Sequence, residues 1–127
     1  MRTITTHHDG HGLNENVQII ALDDKEGPAC HHYIFNLNPG PVEKLVGELR
    51  FQLRFQQGPR NEAGSTPGVV TAAVLAMLID HLEGFQRGPY PSRETAIVIK
   101  KLEEALHWTR ARADKRAARG VLGRNEK

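Results

Sequence analysis

The histidines are the residues of this chain best equipped for chemistry, and there are seven of them. His7, His8 and His11 form an HHxxH cluster with Asp9 inside it. Imidazoles and a carboxylate at that spacing are ligand types for a transition metal. The cluster lies in a glycine-containing stretch, HHDGHG, without a His-Glu-x-x-His helix pattern or a Cys/His zinc spacing. A structural or loop-capping role is therefore expected, and no metal. His31 and His32 are neighbours on an expected strand, so only one faces any given site. His107-Trp108-Thr109 matches one half of a two-histidine phosphoesterase motif, but the chain holds no second copy. The match also falls in an expected helix, not on a strand. No catalytic residue is assigned.

Anion recognition is the other chemistry on offer. In GPYPSRETAIVIKKLEEALHW (Gly88 to Trp108) a Gly-Pro turn leads through Ser92 into a helix. Free backbone amides beside Ser92 and Arg93 suit a phosphate; the alternative is an ordinary Ser92 cap. Phe85, just before the turn, either stacks on a nucleobase or plugs the core. Arg60 is either a solvated loop residue or a second phosphate clamp. A basic run of Arg110, Arg112, Lys115, Arg116, Arg119, Arg124 and Lys127 meets only Asp114 and Glu126. It suits the negative end of a helix dipole or, alternatively, an anion site.

The elements that must position these groups are legible from periodicity. Met1 to Asn14 reads as a loop. NVQIIALDD (Asn16 to Asp24) reads as a strand with Val17, Ile19 and Ala21 on one face. After the KEGP turn signal, HHYIFNL forms a second strand with Tyr33, Phe35 and Leu37 alternating, ended by NPGP. In the third, Leu49, Phe51, Leu53 and Phe55 alternate with Arg50, Gln52, Arg54 and Gln56. Period two gives one buried and one polar face of an antiparallel sheet.

A Gly/Pro-rich loop follows. Thr66-Pro67 predicts a helix start, running to about Phe85 and apolar around most of its circumference, hence buried on more than one side. Prolines 89 and 91 end it. Ser92 caps a second helix that runs to about Arg119, where Gly120 stops it. Its expected apolar stripe is Val98, Leu102, Ala105, Leu106 and Thr109, facing a partner helix. The fold class is α+β: a small N-terminal antiparallel β-sheet (residues 1–60), then a long antiparallel two-helix hairpin (66–119) and a tail (120–127). One domain is expected. The second helix would be about 40 Å long, against a diameter of about 28–36 Å for a compact chain of this size. Part of it is therefore expected to pack on another copy.

Seventeen basic and fifteen acidic residues give a formal charge of +2, a balance that argues against a nonspecific nucleic-acid coat. Cys30 is the single cysteine, so no intrachain disulfide forms and a reducing cytoplasm is expected. The longest apolar run, VVTAAVLAMLI, is too short to span a bilayer. No signal-like segment opens the chain, and no membrane partner is expected.

SRETAIVIKKLEEALHW followed by ARADKRAARGVLG, with HDGHGLNE and FQQGP upstream, resembles the first-described family of phage Thoeris anti-defence sponges. That family shares its helical hairpin with phage anti-CBASS sponges. The resemblance runs from His8 to Gly123. It implies a non-enzymatic protein without cofactor that binds cyclic nucleotide immune signals and holds them intact. The ligands implied are glycocyclic ADP-ribose and, in many members, cyclic oligonucleotides. Carried onto this chain, the pocket falls at Arg60, Phe85, Thr95 and Arg112, with Phe85 stacking a base and the two arginines holding phosphate and ribose. Arg93 and Glu94 match the helix start, and Arg93 is counted with the ligand-binding set. Thr95 departs from the pattern, in which asparagine often follows Arg-Glu; a hydroxyl offers fewer hydrogen bonds than an amide.

Thr95 and Arg112 stand about 26 Å apart along one helix. They share a pocket only if two copies lie antiparallel, which makes two equivalent pockets. A homodimer is expected, with a hexamer as a trimer of dimers the larger assembly to test. Two readings from other classes stay open: an enzyme hydrolysing a cyclic nucleotide signal, and a small nucleic-acid-binding protein using the basic helix end.

Overall fold

The computed structural model describes residues 1–23, 29–37 and 50–120. The chain divides into two compact units, Met1–Phe55 and Gln56–Lys127.

The first unit is a four-stranded antiparallel meander, in order β1 (Arg2–Ile4), β2 (Val17–Ala21), β3 (His32–Leu37) and β4 (Arg50–Arg54). Three strands were legible as runs of alternating apolar residues. β1 was not, because Arg-Thr-Ile is too short and polar to show a period. It is held instead by β2, with Arg2 opposite Ala21 and Ile4 opposite Ile19. The pairing of Ile19 with Phe35, and of Phe35 with Phe51, puts the expected apolar set on one face. Phe35 and Phe51 stack at 4.6 Å, and Tyr33 meets Phe55 edge-on at 5.9 Å. Leu49 lies outside the described residues, as do the KEGP and NPGP turns.

The expected division into a buried and a polar face needs correction. Ala21 on the apolar face is fully buried, but Phe51 on the same face is 52% exposed. Ile34, on the opposite face, is only 4% exposed. Isoleucines 20 and 34 sit directly opposite each other, so this face has an apolar centre. Hydrogen-bonded side chains flank it: Asn36 to Gln18 (3.1 Å) and His32 with Gln52 (2.7 Å). Cross-strand neighbours of matched type are what hold such a surface.

The second unit opens with a loop closed at its base. Gln57 and Thr66 exchange backbone hydrogen bonds (3.0 and 2.8 Å), and the Gln56 amide donates to the Val69 carbonyl (2.9 Å). This overturns the helix start at Thr66-Pro67. Thr66 is spent on the bridge, and α1 runs Thr71–Arg87 with Val70 at its N-cap and no side-chain cap. Gly58, at φ +86°, turns the loop where a Cβ would come within 3.2 Å of Ser65.

The second helix, α2, spans Arg93–Ala118, with Gly120 at φ +73° just beyond it as expected. The two helices pack as a hairpin. Along α1 the half-buried residues Ala72, Leu75, Ile79, Leu82 and Gln86 recur at intervals of three and four. Along α2, Thr95, buried Ile99, and half-buried Leu102, Leu106, Thr109 and Ala113 do the same. Such spacing makes one continuous seam.

The expected stripe on α2 was therefore partly misplaced. Leu102, Leu106 and Thr109 lie on the seam, whereas Val98 and Ala105 are exposed. Among the described residues α1 contains no fully buried one, and Met77 and Leu78 are exposed, so the expected burial all round the helix is not seen within the hairpin. No described helix is long and apolar enough to cross a membrane.

Candidate functional site at the hairpin turn

Only four residues, Gly88 to Pro91, lie between the end of α1 and the Ser92 cap. Ser92 is extended (φ −143°, ψ 154°), as an N-cap must be. Its hydroxyl accepts from the Thr95 amide at 3.0 Å and donates to the Thr95 hydroxyl at 2.8 Å. The cap expected at Ser92 is thus present, and Thr95 completes it in the position where Glu or Gln closes a capping box. Thr95 therefore has a structural task that an asparagine amide would have to share differently.

A contact that sequence reasoning missed reinforces the turn. The Gln86 side-chain amide donates to the Ser92 carbonyl, and the Ser92 amide donates to the Gln86 side-chain oxygen, both at 3.0 Å. Gln86 thus pairs with Ser92 as a strand backbone would. Its one visible signal was a glutamine two residues before the turn on the seam side of α1.

Phe85 stands beside Gln86 on the last turn of α1, 48% exposed. The His81 ring meets it nearly at right angles (89°) with centroids 5.1 Å apart. Half of Phe85 is thus open to solvent on the last turn of α1. Arg93 is exposed on the first turn of α2. Arg60 is exposed at the tip of the bridged loop, where the Glu62 amide bonds the Pro59 carbonyl at 3.0 Å. Arg112 is exposed near the far end of α2. One chain therefore brings Phe85, Ser92, Arg93 and Thr95 to the turn and leaves Arg112 about 26 Å from Thr95 along the helix. Val98, Lys101, Ala105, Trp108 and Arg112 form an exposed second stripe of α2 at the same three-and-four spacing, Trp108 being 68% exposed.

The histidine clusters go to other tasks. His7 bonds the Val17 carbonyl through Nε2 at 2.6 Å and packs edge-on against His8. Asp9 accepts from the His11 amide and the Asn14 side chain, each at 3.0 Å. Glu15 receives the amides of Gly10, of Asp9 (3.0 Å) and of Gly12 (3.0 Å). These bonds, that from Gly10 foremost, hold its carboxyl below the usual carboxylate range. Among the described residues no group of three or more His, Cys, Asp or Glu is arranged to hold a metal ion. Asp23 gathers the Cys30 thiol and the backbone amides of His31 (2.9 Å) and His32 (3.0 Å). The thiol bond first, then that of His31, lowers its pKa strongly. Thr109 does not act with His107: its hydroxyl donates to the Ala105 carbonyl one turn back at 2.9 Å.

By geometry this is a helical-hairpin protein whose turn carries an open aromatic, a doubly pinned serine cap and the exposed Arg93. The profile of the Acb2/Tad1 hairpin domain matches residues 50–114, β4 through most of α2, and the chain belongs to that family. It is similar to a protein of Bacillus phage SBSphiJ7 named Thoeris anti-defense 1, at 42% identity over 86 residues. The aligned region takes in 68% of this chain and 59% of that relative, so the match spans somewhat over half the relative's length. The resemblance drawn from the sequence is borne out at the level of the family.

Proposed function

We propose that this protein is a phage anti-defence sponge, binding cyclic nucleotide immune signals and withholding them intact from the effector they activate. Glycocyclic ADP-ribose is the first ligand, and cyclic di- and trinucleotides are further candidates, which extends the reading from Thoeris to CBASS. Family membership supports the anti-defence role, as does the name of the Bacillus phage relative. The observation that carries the binding role is Phe85, half exposed beside a capped helix start flanked by Arg93.

In this reading Phe85 stacks a base, Arg60 and Arg112 hold phosphate and ribose, and Arg93 and Thr95 line the helix start. A cyclic dinucleotide carries about two negative charges, which two or three arginines neutralise through charge-assisted hydrogen bonds. Arg112 reaches the site from a second copy lying antiparallel across the exposed α2 stripe. Two equivalent pockets then form per homodimer, and a trimer of such dimers is the larger candidate assembly. No residue is given a catalytic role, no cofactor is needed, and the host cytoplasm is the place of action.

Calorimetric titration with glycocyclic ADP-ribose tests the site. Phe85→Ala and Arg112→Ala should each weaken binding more than tenfold, about 1.4 kcal/mol or more, while circular dichroism stays that of the wild type. Wild-type affinity in either variant would remove that residue from the site.

A further inference from the structure

We infer that Gln86 is a positioning residue for the nucleotide site: by pinning Ser92 it sets the turn of α1 that carries Phe85 against the turn of α2 that carries Arg93 and Thr95. This rests on reading the hairpin turn as that site. Gln86 itself touches the backbone of Ser92 and acts through it.

The chain between the helices has little means of bracing itself. Pro89 and Pro91 offer no amide, and the Gly88 amide is spent on the Phe85 carbonyl at 3.2 Å. Gln86 supplies the missing brace with one donor and one acceptor, each 3.0 Å from its partner on Ser92. With that clamp every polar group of Ser92 is engaged. Its carbonyl also takes the Ala96 amide at 3.2 Å, and its hydroxyl is shared with Thr95.

The chemistry demands a side-chain amide of this length. A glutamate would face the Ser92 carbonyl without a proton to give, and a methionine of equal reach would offer neither bond. Loss of the clamp frees the first turn of α2 to shift relative to Phe85. Binding sites lose affinity when their walls are no longer preorganised.

The test is a double-mutant cycle read by calorimetry with glycocyclic ADP-ribose. Gln86→Met should bind about tenfold more weakly than the wild type while its helical circular dichroism is retained. Gln86→Glu, which keeps one of the two bonds, supplies a second variant and should also bind several-fold more weakly. In a Phe85→Ala background the loss caused by Gln86→Met should largely disappear, because the surface being positioned is gone. If the two losses multiply instead, Gln86 serves only the fold and the inference is overturned. Wild-type affinity in both Gln86 variants, with Phe85→Ala weakened, overturns it while leaving the site in place. Failure of the wild type to bind at all overturns the reading of the site beneath it.

Discussion

Ser92 shows at the scale of single residues how local chemistry becomes a site. Its role was readable because a cap needs only the right residue type ahead of a helical period. Ser92→Ala should cost about 1 kcal/mol of stability, measurable as a lower urea midpoint; an unchanged midpoint would contradict the cap. The Gln86 clamp was not readable, because a side chain that bonds six residues onward across a proline turn leaves no periodic trace. Thr66 failed in the opposite way. Its residue type and the following proline advertise a helix start, but backbone pairing with Gln57 takes precedence. Asp23 carries a prediction of its own. Its carboxyl is depressed by bonds that the unfolded chain lacks, so its contribution is present above the unfolded pKa of about 3.9 and fades as pH falls below it. Asp23→Asn should therefore lower the urea midpoint at pH 7, with the gap to wild type narrowing toward pH 3. A gap that is constant across this range would remove the carboxylate from the account.

Among the elements, the strands β2 to β4 and both helices followed from hydrophobic period, while β1 required a partner strand that no local pattern reveals. The helical stripes were the harder reading. α2 carries two rows with apolar members, offset by about one position in the turn, and one sequence alone does not tell which row meets α1. The row with Ile99 does; the row with Val98 and Trp108 is left open. In the proposed homodimer that open row is the surface on which two copies pair antiparallel, and replacing its exposed aromatic by a carboxylate should abolish the pairing. Trp108→Glu should shift sedimentation from dimer to monomer and weaken nucleotide binding as much as Arg112→Ala does. A monomeric wild type with full affinity would sink the shared-pocket account.

For the whole molecule, the proposed function requires that the ligand be held and not converted. A sponge needs an enclosed, charge-matched site and enough copies to outnumber the signal; it needs no nucleophile. Two of the histidines bond locally, His7 to the Val17 carbonyl of β2 and His32 to Gln52, while Asp9 and Glu15 tie the glycine turn between them. The most direct measurement is release. Glycocyclic ADP-ribose is incubated with excess protein, free ligand is confirmed to vanish, the protein is denatured by heat, and the supernatant is resolved by chromatography. Full recovery of intact ligand is the predicted result; recovery of a hydrolysis product, or ligand that never left solution, would contradict it.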